Sequence, residues 1–131
     1  MKLNNAIHIS MIDRHNGKML KEIGDGLLFS FASASEAVNF CIDVQQEFKE
    51  KDFNLRMGVH LGEVMFMKND VFGYGVNISS RLESKAEPGG ICISDTVYQN
   101  IRNQPDIKVD FLEEGDLKNV LSKIKMYSVR Y

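Results

Sequence analysis

Proline is nearly missing from this chain: its 131 residues hold two, Pro88 and Pro105, and both fall between patterned segments. With no Pro/Gly-rich linker, internal repeat or low-complexity tract, residues 1–131 read as a single domain, long enough to bury an ordinary core. Cysteine is equally scarce. Cys41 and Cys92 lie in apolar surroundings without CxxC spacing, which excludes a disulfide framework and points to buried thiols of an intracellular, cytoplasmic protein. An excess of positive charge is lacking too: the formal charge is −2, so no basic field attracts nucleic acid. A polyanionic ligand would need local cationic side chains or metal ions. No apolar run approaches a membrane span, and the segment from Met1 to His8 lacks the apolar core of a signal peptide, so no membrane partner is expected. What is present, 44% apolar and 26% charged residues, is the composition of a globular fold.

The patterning predicts a helix tail over Asn4 to Arg14, ended by Asn16-Gly17. Lys18 to Phe31 alternates on both sides of Gly24-Asp25-Gly26 and reads as a hairpin with a tight Asp-Gly turn. Asp25 is at least a turn residue, and its carboxylate is also available to a divalent cation. Ser33-Ala34-Ser35-Glu36 matches a capping box, after which Ala37, Cys41, Val44 and Phe48 mark one helix face. Two strands follow, Leu55 to His60 and Glu63 to Met67, then a turn at Lys68-Asn69-Asp70. His60 has neither a nucleophile beside it nor metal-ligand spacing and is assigned a structural role. A helix is expected to run to Lys85 and to stop at Glu87-Pro88-Gly89-Gly90. Beyond it come a short buried strand, Ile91 to Ser94, and a brief helix capped by Ser94. Strands at Ile107 to Leu112 and Ile124 to Val129 follow, with a loop from Glu113 to Asp116. This order favours an α+β fold, a ferredoxin-like or palm-like, mostly antiparallel sheet with helices packed on one face.

The densest chemistry lies between Asp70 and Glu83. Gly73 and Gly75 permit an unusual backbone just before a helix. Asn77 and Arg81 are four apart and share one helix face. The set offers an anion site at a helix start, a fork of donors and an acceptor for a base edge. Spacing alone favours a loop followed by a capped amphipathic helix.

Several motifs in order carry a more specific signal. They are Lys21-Glu-Ile-Gly-Asp25-Gly, Gly58-Val-His-Leu-Gly-Glu63-Val, Asp70-Val-Phe-Gly-Tyr-Gly-Val-Asn77-Ile-Ser-Ser-Arg81-Leu-Glu, Ala86-Glu-Pro-Gly-Gly-Ile-Cys-Ile-Ser94 and the closing Leu117-Lys-Asn with Met126-Tyr-Ser-Val. In these motifs the chain resembles the class III adenylyl/guanylyl cyclase catalytic domain, of the bacterial adenylate cyclase type. The resemblance implies cyclisation of ATP to 3′,5′-cyclic AMP with loss of pyrophosphate. It also implies two divalent cations, Mg2+ or Mn2+, and a head-to-tail homodimer with active sites at the interface. Asp25 matches a metal-binding aspartate. Lys21 and Asp70 match the pair that reads the adenine edge, Asn77 the residue that orients the ribose, and Arg81 the arginine that stabilises the pentavalent phosphate.

The residue chemistry agrees with these roles. A carboxylate at Asp70 accepts from the adenine amine, whereas guanine would present a carbonyl oxygen to it, so ATP is expected over GTP. Arg81 is a planar multi-donor cation suited to charge on phosphate oxygens. The family's opening strand, with its first metal aspartate, has no recognisable counterpart before Lys18, and Asp13 does not match it, so an N-terminally truncated domain is expected. Tyr74 departs from a position where related sequences often carry a carboxylate. The alternatives are a cyclase-like dimerisation or nucleotide-binding regulatory module without turnover, or a guanylate cyclase. The glycine- and acid-rich hairpin of the palm-like diguanylate cyclases is absent.

Overall fold

The structure, a computed structural model, describes residues 11–23, 26–49, 54–62, 65–67, 70–117 and 122–131. Residues 11–14 are helical, and Asn16 ends that turn with a positive φ of 56°, the left-handed cap expected from Asn16-Gly17. Two strands follow as an antiparallel hairpin, β1 (Gly17–Ile23) and β2 (Gly26–Phe31), closed by the pair Ile23↔Gly26. Helix α1 (Ala34–Lys49) begins where the capping box predicts: Ser33 Oγ accepts from the Glu36 amide at 3.2 Å and donates to the Glu36 carboxylate at 3.2 Å. Its buried face includes a glutamine. Gln45 Nε2 donates to the carbonyls of Leu55 (2.9 Å) and Gly90 (3.1 Å), which is why an amide can sit on an apolar face.

Strand β3 (Met57–Val59) is shorter than the alternation suggests. Then β4 (Met65–Met67) pairs antiparallel with β5 (Asp70–Phe72), the latter in place of the expected loop. Val71 and Phe72 are strand formers, and the pair Met67↔Asp70 makes Asp70 the first residue of a strand rather than part of a turn. Helix α2 (Tyr74–Lys85) ends as the sequence predicts. The remaining elements are β6 (Ile91–Ser94), α3 (Asp95–Ile101), β7 (Lys108–Gly115) and β8 (Ile124–Arg130). Strand β7 runs on through the expected loop because a bulge between Phe111 and Glu113 lets Glu113–Gly115 keep pairing with Met126–Ile124.

Among the described residues the main sheet has the order β3-β6-β8-β7, with β3 parallel to β6 and the other pairs antiparallel. Side-chain alternation divides its core. Ile91 and Ile93 of β6 with Tyr127 and Val129 of β8 pack against α1 and α3. Cys92 and Met126 point the other way, onto Ile78 and Leu82 of α2. The class is α+β and mostly antiparallel as expected, but the helices do not all share one face: α2 covers the opposite side. The physical reason is β6, whose four residues are all buried and need cover above and below. No helix among the described residues is long and apolar enough to cross a membrane.

Candidate active site

Three pieces of chain meet where the sequence motifs fall. The hairpin β1–β2 supplies Lys21, the hairpin β4–β5 supplies Asp70, and α2 supplies Asn77 and Arg81. Lys21 is aimed by an irregularity that no residue announces. The pairing steps from Met19↔Phe29 directly to Lys21↔Leu28, so Leu20 is an extra residue in β1. Such a bulge reverses the side-chain alternation beyond it. Lys21 is therefore half-buried instead of exposed with Met19, and its ammonium lies 2.9 Å from Asp70 Oδ1. The pair forms across 49 residues of chain, and its members are 28% and 60% exposed.

Helix α2 starts at Gly73, whose φ of 131° and ψ of −179° suit glycine alone. Gly75, grouped with Gly73 by the sequence, is instead helical and buried. Asn77 is exposed in the first turn; Arg81, one turn on, is half-buried. The height of this helix over the sheet is set at Gly58 of β3. A Cβ there would overlap the Glu83 amide nitrogen and the Ser79 carbonyl oxygen, so α2 backbone rests directly on the strand. The same helix reaches the first hairpin, because a Cβ built on Gly26 would lie 3.5 Å from Glu83 Oε2.

Asp25, the sequence candidate for metal binding, lies outside the described residues, as does Glu63. Among the described residues no three His, Cys, Asp or Glu side chains gather into a metal cage. Among the described residues the Glu83 carboxylate lies near Gly26, and a hard oxygen donor of this kind suits Mg2+ or Mn2+.

Sequence reasoning assigned His60 a structural role, and the structure gives it specific partners. Its Nδ1 is 2.8 Å from Ser94 Oγ and 3.5 Å from Thr96 Oγ1, and burial pushes the imidazole below its ordinary 6.5. Ser94 stands at the start of α3, but its hydroxyl is spent on His60 and Thr96 and makes no capping bond. Farther off, Tyr98 stacks on Tyr127 at 4.2 Å, and Tyr127 donates to Asp95 at 2.8 Å. Burial first, and then that hydrogen bond and the Asp95 charge, push the Tyr127 phenol up to about 12.

Residues 9–130 match the family model of the adenylate and guanylate cyclase catalytic domain, and the chain belongs to that family. It is 34% identical over 128 residues to putative adenylate cyclase 3 of Rhizobium meliloti (strain 1021), covering 90% of this chain and 22% of that protein. It therefore spans about a fifth of the length of that curated relative. Its fold matches the adenylate/guanylate cyclase/hydrolase of Silicibacter pomeroyi with a TM-score of 0.85 at 29% identity, over 93% of this chain and 76% of that one. The guanylate cyclase domain of RhGC from Catenaria anguillulae, solved in complex with GTP, gives a TM-score of 0.76 at 26% identity, over 95% and 78%. The three-layer arrangement described above is thus the class III cyclase catalytic fold.

Proposed function

We propose that this domain converts ATP to 3′,5′-cyclic AMP and pyrophosphate, working as a homodimer with its active sites between two copies. The observation that carries the reading is the 2.9 Å Lys21–Asp70 pair, which couples an anionic acceptor to a cationic donor on two strands. The carboxylate takes the exocyclic amine of adenine, and the ammonium donates to a ring nitrogen. Asn77, exposed on the first turn of α2, holds the ribose. Arg81, one turn on, faces the phosphates.

The 3′-oxygen attacks the α-phosphorus, the bond to the bridging oxygen breaks, pyrophosphate leaves, and the hydroxyl proton passes to water. Arg81 donates to the equatorial oxygens, where charge gathers as the five-coordinate state forms. Its contact is strongest there, so it acts on the barrier more than on binding. Asp25 would hold Mg2+ or Mn2+ against the substrate phosphates, and the cation, when bound, supplies a Lewis acid for the α-phosphoryl group.

A guanylate cyclase is the second reading, favoured by the GTP-bound Catenaria domain among the structural relatives. The two separate on one experiment. The protein is incubated with ATP or GTP and Mg2+ or Mn2+, and cyclic nucleotide and pyrophosphate are measured. Cyclic AMP with matching pyrophosphate is expected. Preferential cyclic GMP would replace the adenine assignment. Nucleotide binding with no product over long incubation would make the domain a regulatory module.

A further inference from the structure

We propose that His60 is a positioning residue, held as its Nδ1–H tautomer by a one-way chain of hydroxyls that clips the turn after β3 to α3 and so fixes the start of α2. The direction of the chain follows from counting hydrogens. Thr96 Oγ1 donates to the Leu61 carbonyl at 3.2 Å, which uses its one proton. The 3.0 Å contact between Ser94 and Thr96 must then carry the proton of Ser94. The 2.8 Å contact between His60 Nδ1 and Ser94 Oγ is left to the imidazole N–H. Each hydroxyl donates once in this arrangement, and unlike the reverse direction it also supplies a donor to the Leu61 carbonyl, next to His60.

The clip reaches the catalytic helix through Gly62. A Cβ built on Gly62 would lie 2.6 Å from His60 Nε2 and 3.5 Å from the Gly75 Cα. Gly62 therefore lies between the imidazole and the second residue of α2, two residues before Asn77. Ser94 is 1% exposed, so the chain is anchored in the core where water does not compete. Burial also holds the imidazole neutral near pH 7, the form with a single N–H that this direction requires.

Asparagine can place an amide N–H near the position of Nδ1, whereas glutamine places it one atom farther out. His60→Asn should therefore restore the clip, and His60→Gln should not. The kinetic consequence rests on the cyclase reading; the structural consequence does not. With the full chain labelled in ¹⁵N-histidine, His60 should show a protonated Nδ1 and an unprotonated Nε2, and the reverse tautomer would overturn the proposal. The amide signals of Gly75 to Asn77 should shift in His60→Gln and Ser94→Ala and return in His60→Asn, with β7 as the unaffected reference. Thr96→Val, altered at an exposed position, provides a second lesion should a core variant not fold. Unmoved Gly75 to Asn77 signals in all the lesioned variants would overturn the proposal. Given turnover by the wild type, His60→Gln should lower kcat by about tenfold with KM changed less than about threefold, and His60→Asn should recover it. An unchanged kcat in His60→Gln would refute positioning. A wild type without turnover would instead refute the cyclase reading, and the two magnetic-resonance readouts would still decide the clip.

Discussion

Asp70→Ala is the most informative perturbation, because the structure separates its effect on folding from its effect on recognition. The lost ion pair joins a lysine 28% exposed to a carboxylate 60% exposed. Pairs this wet contribute at most about 1 kcal/mol to stability. The thermal midpoint should therefore fall by no more than a few degrees. Recognition is another matter. A base seated on Asp70 shields it from water, and a charge-assisted hydrogen bond is worth about 1.5–3 kcal/mol. Guanine additionally sets its carbonyl oxygen against the carboxylate. Removing Asp70 withdraws the bond to adenine and the repulsion of guanine together. The ratio of kcat/KM for ATP over GTP should fall by ~10- to 100-fold, since 1.4 kcal/mol corresponds to a factor of ten. Asp70→Asn can donate to a carbonyl and should lower the ratio further than alanine does. The assay is initial-rate formation of cyclic AMP and cyclic GMP over matched nucleotide series, with melting curves alongside. An unchanged ratio in a variant that melts like the wild type would refute the base-reading role.

Arg81→Ala should depress kcat by ~10²–10³ while nucleotide affinity, measured by calorimetry, changes little; collapse of binding with turnover per bound nucleotide intact would remove its assigned role. Gly58→Ala drives a methyl into the backbone of α2 and should destabilise by about 2–3 kcal/mol, seen as a Tm drop of several degrees; an unaltered Tm would contradict the close approach. His60 has a depressed folded value, so the unfolded chain binds more protons as pH falls below 6.5, and that share of stability, complete above 6.5, is lost on acidification through the folded value. Denaturant titrations from pH 8 to 5 should show a shallower loss in His60→Asn than in the wild type. Burial pushes the thiols of Cys41 and Cys92 up to about 12 and about 11, so neither should react with a thiol reagent at pH 8 until denaturant is added.

The parts of this fold legible in the sequence are those in which one local signal suffices. Asp25-Gly26 between alternating runs announced the first hairpin, and Ser33 with Glu36 announced the start of α1. Glu87-Pro88 announced the end of α2. Illegible were features decided by neighbours distant in sequence. Gln45 is a polar residue by composition, and only the carbonyls of Leu55 and Gly90 explain its burial. Strand β5 follows its partner β4 by two residues and shares a stretch with helix signals, which dominate any local reading. The two bulges, at Leu20 and Leu112, carry no glycine or proline marker and exist because the partner strands hold a different count of residues. Lys21 and Asp70, grouped by the motifs, stand 2.9 Å apart, but Asp70 lies on a strand where the sequence suggested a loop.

That last difference has a mechanical consequence. With Asp70 on a paired strand and Lys21 turned in by a bulge, the two groups proposed to read the base belong to two hairpins, β1–β2 and β4–β5. Asn77 and Arg81 belong to α2, whose seat is the main sheet at Gly58 and, through Gly62, the His60 turn. Under the proposed roles, nucleotide choice and catalytic power are carried on different supports. Lesions of the hairpins should alter the ratio of ATP to GTP with little effect on the maximal rate for the preferred nucleotide. Lesions at Gly58 or His60 should lower the rate for both nucleotides alike. A variant at Leu20 that abolishes the bulge would test this division most sharply, because it redirects Lys21 while leaving every residue of α2 in place. Equal loss of rate and of discrimination in that variant would mean that the hairpins and the helix move as one body.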